Sequence, residues 1–141
     1  MYTIKKEGAE VLREQALKVD VVDSSCIRLI NEMTRMMIKA GGCGLAAPQI
    51  GISKAIIITI PGRAFINPEI IQHGEGMEKM TEGCLSCYEK VEVERWKEIE
   101  VKYTNMQGIE RVEKFSGMFA RIIQHEVDHL KGKLIVDYKN V

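Results

Sequence analysis

Gln124-His125-Glu126-Val127-Asp128-His129 sits among Ile122, Ile123 and Leu130, so it reads as part of an amphipathic helix packed against a core. On a helix, two histidines four apart point the same way and can grip one metal ion. Glu126 between them is placed to act as a base on water. Burying two imidazoles without partners is costly, which favours a metal over a chance pattern. Two protein ligands make a weak site, so a third donor must come from elsewhere. Downstream, only Asp137 could serve, which shifts attention to the cysteines upstream.

Working outward, Ser116 can cap this helix and Gly132 can close it. Met118 and Ile122 lie seven and three residues before His125, on the metal-facing side, and are expected as walls of a substrate pocket together with Cys43 and Gly44. Gln124 falls on a different face and reads as a brace. After the helix, residues 134–136 read as a final short strand. Before it, residues 98–104 and 109–114 alternate and are joined by a turn over 105–108, a hairpin pattern. Residues 91–94 form another short alternating segment. Residues 73–80 are polar and broken by glycine, and read as a loop.

Residues 55–60 are nearly all β-branched and read as a buried strand. A turn at Pro61-Gly62-Arg63 leads into a strand over 64–67, which Pro68 is expected to end. The first helix is expected to start at Ser24-Ser25. Its apolar stripe is Cys26, Leu29, Ile30, Met33, Met36, Met37 and Ala40, and Gly41-Gly42 stops it. The sum is an α+β domain over residues 1–141, with short, mostly antiparallel strands around a central metal-binding helix and a second helix near the N-terminus.

Composition narrows the function. Lys plus Arg and Asp plus Glu are 20 each, which points away from a nucleic-acid partner. The first residues lack an apolar signal core, and no apolar run is long enough to span a bilayer. A cytoplasmic protein with no membrane association is expected, with thiols reduced rather than paired.

Among the cysteines, Cys26 sits on the helix stripe as a small core residue. Cys84 follows Gly83, which allows close backbone approach. One thiolate with two imidazoles leaves a fourth position open, the catalytic kind of site. The rival is a closed Cys₂His₂ structural site that adds Cys87. The 37 residues between Cys87 and His125 exceed a small zinc finger's spacer, and a closed site gives Glu126 no task. His73 is a third candidate ligand, but its polar, glycine-rich surroundings suit a surface loop. A metalloprotease using Asp137 as downstream ligand and a zinc-stabilised binding module without enzymatic activity are the competing functions.

Three segments together resemble the peptide deformylase family. Gly42-Cys43-Gly44-Leu45-Ala46-Ala47-Pro48-Gln49 resembles its Gly-x-Gly-Leu-Ala-Ala-x-Gln motif. Glu82-Gly83-Cys84-Leu85-Ser86 resembles its Glu-Gly-Cys-Leu-Ser motif, and residues 124–129 resemble its Gln-His-Glu-x-Asp-His motif. All three stand in the family's order, and the likeness extends through Ile66-Asn67-Pro68-Glu69 and Leu134-Ile135-Val136-Asp137-Tyr138. The resemblance implies removal of the formyl group from N-formylmethionyl peptides, with contact to the ribosome as a further expectation. It implies Cys84, His125 and His129 as metal ligands, Glu126 as general base and acid, and Gln49 with the Leu85 N–H as oxyanion donors. It implies Fe²⁺ in the cell, with Zn²⁺, Ni²⁺ or Co²⁺ in purified preparations, although the Cys-His₂ set suits zinc at least as well.

The chain departs from the family pattern in three places. It ends soon after Asp137-Tyr138, which resembles shortened members, phage-encoded ones included. Cys87-Tyr88-Glu89 replaces an apolar residue followed by Pro-Gly. Cys43 fills a position usually held by an aliphatic residue.

Overall fold

The computed structural model describes residues 2–139. Its first helix, α1 (Ser24–Ala40), is capped one residue earlier than the two serines suggested. The Asp23 carboxylate accepts the Cys26 N–H at 3.0 Å, because a charged acceptor is a stronger cap than a hydroxyl. Gly41 ends the helix in the left-handed region at φ 73°, which glycine adopts without a Cβ clash. The buried stripe runs from Cys26 to Met37, whereas Ala40 is exposed.

The strands follow as β1 (Gly44–Ala46), β2 (Ile56–Thr59), β3 (Arg63–His73), β4 (Met77–Glu82), β5 (Val91–Trp96), β6 (Glu98–Thr104) and β7 (Glu110–Ser116). Five form one antiparallel sheet in the order β1-β2-β3-β6-β7, and β4 pairs with β5 in a separate two-stranded ribbon. The helix α2 (Gly117–Leu130) comes next, then a short 3₁₀ turn over Ile135–Tyr138. The α+β class, the two helices and the antiparallel pairing agree with the sequence reading.

β2 shows how the sheet sits between the helices. Ile56 and Ile58 pack with Cys26, Leu29, Ile30, Met33 and Met37 of α1. Ile57, pointing the other way, packs with Ala120, Ile123, Val127 and Leu130 of α2. A strand covered on both faces has no polar side to show, which is why its sequence is continuously β-branched rather than alternating.

Three local expectations fail for identifiable reasons. Pro68 does not end its strand; β3 continues to His73 through a bulge between Ile66 and Glu69. Proline lacks the N–H that a ladder needs but is tolerated at a bulge. Asn67 takes the bulge's left-handed backbone at φ 52°, and its side-chain amide pairs with both backbone groups of Val19 at 2.8 Å. The stretch 73–80 is not a loop throughout, because residues 77–80 belong to β4. This strand is mostly exposed, so no apolar alternation marks it, and its pairing with β5 defines it.

Residues 134–136 are not a strand. Leu134 precedes a 3₁₀ turn because Asp137 Oδ2 accepts the Leu134 N–H at 3.0 Å. Ser116 does occupy the N-cap of α2, but its hydroxyl makes no cap bond there.

Candidate metal centre and cleft

Helix α2 presents His125 and His129 one turn apart, with Val127 and Leu130 anchoring its other face in the core. Cys84 lies in the turn just after β4. The ligand atoms of Cys84, His125 and His129 all lie within 4.8 Å of one another, with Cys84 Sγ 3.4 Å from His129 Nε2. Burial, then the nearby His125, push the His129 imidazole down to about 3, so it stays neutral and its lone pair is free to coordinate. The Cys87 sulfur and burial push the Cys84 thiol above its ordinary value, a balance that a divalent cation reverses by binding the thiolate. One soft sulfur and two imidazoles fit a divalent transition metal or zinc.

A buried charge network fixes the first histidine. Glu82, the last residue of β4, has one carboxylate oxygen 2.9 Å from His125 Nδ1, which leaves Nε2 to face the centre. Arg95 of β5 grips the same carboxylate with two bonds of 2.9 and 3.0 Å, and Arg121 of α2 donates to it as well. Burial works against the Glu82 charge, but His125 and Arg95 outweigh it and hold the carboxyl down at about 2. Burial also works against a charged His125, yet Glu82 keeps its imidazole above the ordinary value. The network runs on through Arg95 Nη1 to Asp128 at 2.6 Å, and Tyr138 O–H donates to that same Asp128 oxygen.

Glu126 is buried, and burial pushes its carboxyl up to about 7. Among the described residues its Oε1 has no hydrogen-bond partner. The other oxygen lies against Gly44, where an added Cβ would stand only 2.6 Å from it. The second glycine of the first motif is therefore the space that the carboxylate occupies.

Gln49 is 1% exposed and held from both ends. Its carbonyl accepts the Ala46 N–H at 2.9 Å, and its amide donates to Ser86 Oγ at 3.0 Å and, more loosely, to Cys84 Sγ at 3.6 Å. Among the described residues the Leu85 N–H has no acceptor. The N-terminal stretch laces these two segments together: the Lys5 N–H donates to Gln49 O and the Glu7 N–H to Ser86 O.

These groups open into a cleft of about 470 Å³. Its lining includes Gln49, Cys84, Leu85, His125 and Glu126, together with all four expected pocket residues, Cys43, Gly44, Met118 and Ile122. Met118 is 54% exposed, so it forms a rim rather than a core contact. The cleft meets the free edge of the main sheet, because among the described residues β1 has a partner only on its β2 side.

Other candidates lie elsewhere. His73 is exposed and stacks on Trp96 at 3.5 Å between ring centroids. Asp137 is committed to Arg13 by two bonds of 2.7 and 3.0 Å, so the downstream ligand of a metalloprotease is missing. Cys87 lines the cleft but does not belong to the group of converging ligand atoms, so the closed four-ligand site is not formed. Gln124 braces the helix, bonding the Trp96 backbone N–H and C=O at 3.0 and 2.8 Å.

Sequence reasoning gave no role to Glu82, Arg95, Arg121 or Ser86. Glu82 could have been found, because an acidic residue two before a ligand cysteine is a plausible histidine partner. The arginines carry no local signal, since their partners are remote in sequence.

A family model described as polypeptide deformylase matches residues 1–140. A peptide deformylase of Pseudothermotoga lettingae is 47% identical over 137 residues, covering 95% of this chain and 80% of the relative. The crystal structure of peptide deformylase from Thermotoga maritima superposes with a TM-score of 0.93 at 44% identity, covering 97% of this chain and 96% of that one. A Met-Ala-Ser-bound peptide deformylase structure from Acinetobacter baumannii superposes with a TM-score of 0.93 at 34% identity, covering 97% of each chain.

Proposed function

The chain belongs to the peptide deformylase family, metal-dependent hydrolases that remove the formyl group from nascent peptides, and from that premise we propose which of its residues carry the reaction. The observation that supports the assignment is a set of three converging ligand atoms, two of their residues lining one cleft, beside a buried carboxylate with a free oxygen.

Cys84 Sγ, His125 Nε2 and His129 Nε2 hold the metal. When bound, it supplies Lewis acidity, lowering the pKa of water towards ~7 in zinc analogues and polarising the formyl carbonyl. Glu126 takes the proton of the attacking water and hands it to the departing amide nitrogen, so that formate leaves and a free amine remains. In the metal-free protein burial raises this carboxyl, which favours its taking up the proton of the attacking water. The Leu85 N–H and the Gln49 amide donate to the formyl oxygen as it gains negative charge. The long Gln49 contact to Cys84 is the one that turns towards the substrate. Losing one such donor typically costs roughly 2.7–4 kcal/mol of barrier.

Cys43 and Gly44 offer backbone groups along the β1 edge, where an extended peptide adds as a further strand. Met118 and Ile122 line the slot for the methionine side chain. The Met-Ala-Ser peptide named for the Acinetobacter baumannii structure matches a product of this reaction. Residues 1–141 act as one catalytic domain. The metal in the cell is Fe²⁺, replaceable by Zn²⁺, Ni²⁺ or Co²⁺. The enzyme works in the cytoplasm on chains emerging from the ribosome; among the described residues no helix is long and apolar enough to cross a membrane.

The test is formate release from formyl-Met-Ala-Ser by protein loaded with Fe²⁺ without air, beside acetyl-Met-Ala-Ser and an unblocked internal peptide. Release from the first alone supports the reading. Cleavage of the internal peptide, or no release of formate, overturns it.

A further inference from the structure

Cys87 is the one sulfur beside the metal ligands for which deformylation has no use. It ends the turn that begins at Cys84, with the Cys87 N–H donating to Cys84 O at 3.1 Å. A four-residue turn holds its ends within about 7 Å, and a disulfide spans Cα atoms roughly 4.4–6.8 Å apart. The two side chains pack on the same small cluster of Val91, Val93 and Ile135, and both line the cleft, where a small solute reaches them. Cys43, the other thiol of the cleft, is exposed in the first motif and does not pack on that cluster.

We propose that Cys84 and Cys87 form an oxidative modification site: a peroxide joins them in a disulfide, withdraws Cys84 from the metal and stops deformylation, and a dithiol restores the centre. The Cys87 sulfur attacks one peroxide oxygen, the O–O bond breaks, and a sulfenic acid and one water form. The Cys84 sulfur then attacks the Cys87 sulfur; the S–S bond forms, the S–O bond breaks, and hydroxide leaves as a second water with the Cys84 proton or one from solvent. Two electrons pass from the sulfur pair to one peroxide. Reduction by a dithiol returns both thiols and oxidises the dithiol to its own disulfide. The proposal rests on Cys84 as a metal ligand, which zinc stoichiometry in the untreated protein and its loss in Cys84→Ser test separately.

The experiment uses the full chain loaded with Zn²⁺, which has no redox chemistry of its own. Hydrogen peroxide is added, and three signals are read: zinc captured by a chromogenic chelator, free thiols, and the masses of proteolytic peptides. The expected result is loss of the bound zinc together with two thiols, a peptide linked through Cys84 and Cys87, and recovery with dithiothreitol plus zinc. Cys87→Ser should keep its zinc over the same exposure. Zinc loss from Cys87→Ser as fast as from the parent, a Cys84–Cys43 link, or sulfinic acid at an unlinked Cys84 would each overturn the proposal. Should Cys87→Ser fail to fold, the peptide map of the parent still decides. A Cys84–Cys87 link formed with zinc retained would overturn both the switch and the ligand role.

Discussion

The two faces of the main sheet bury very different chemistry. On one side, α1 contributes Cys26, Leu29, Ile30, Met33 and Met37, and nothing charged is covered. On the other, α2 buries Arg121, Gln124, Glu126 and His129 beside Ala120, Ile123, Val127 and Leu130. Dispersion and area alone hold the first face, so many apolar combinations would fill it. The second face needs each charge matched by a partner in the right place, because an unpaired buried ion costs several kcal/mol. The fold spends ordinary packing on α1 and keeps its specificity for α2. Glu126 is the exception that shows the purpose of this arrangement: among the described residues it alone of the buried acids lacks a partner for one oxygen.

Glu126→Gln should give the largest effect and the sharpest test of that exception. Turnover of a formyl peptide should fall by ~10²–10⁴-fold, the usual contribution of acid–base work, while metal stoichiometry by elemental analysis stays unchanged. Near-normal turnover would remove the general-base role. The same variant should gain stability at alkaline pH when free of metal. A carboxyl raised to about 7 binds more protons folded than unfolded, so the parent loses stability as pH rises from about 4.5 through 7. Urea melts of parent and variant at pH 5 and pH 8 measure this, and an unchanged gap between them would break the link to Glu126.

The two faces can next be set against each other directly. Glu82→Ala takes from the buried Arg121 its carboxylate partner and leaves Arg95 with Asp128, and should cost ~3–5 kcal/mol in urea unfolding and weaken metal binding by ~10–100-fold through the unsupported His125. Met33→Ala should cost a similar ~2–5 kcal/mol but leave metal affinity untouched, because the apolar cluster that holds Met33 contains none of Cys84, His125 and His129. If both variants weakened the metal equally, the division between the faces would fail. In the metal-free protein, the Glu82 contribution is whole above about pH 4.5 and is lost as pH falls through about 2, since its folded value lies below the unfolded one. Acid unfolding of the parent should therefore be steeper there than that of Glu82→Gln.

The smallest effect belongs to the half-exposed Arg13–Asp137 pair. Asp137→Asn should change stability by no more than about 1 kcal/mol and leave deformylation intact. A loss of activity would reopen the question of a downstream ligand.

Much of the site was readable because its parts are local. The i, i+4 spacing of His125 and His129 fixes their common direction on any helix. The same spacing put Glu126 beside the metal, and the chemistry of an open site pointed to Cys84; the family likeness then supplied Gln49 and the Leu85 N–H, and all four meet in one cleft. The failures share a different cause. Pro68 passes through a bulge because Asn67 finds Val19, far away in sequence. Residues 77–80 pair as a strand because β5 lies beside them. Asp137 shapes a 3₁₀ turn and takes Arg13 as its partner, neither of which its neighbours announce.

The helix periods, the β-branched strand buried on both faces and the histidine pair were legible in the chain alone, since each depends on spacing within a few residues. Tertiary structure alone decided that Glu82, Arg95, Arg121 and Asp128 meet, that Gly44 makes room for Glu126, and that Cys87 lies beside a metal ligand without joining its set. The reason is that a buried charge or a close approach is defined by whatever the fold brings opposite it, and no local pattern carries that information.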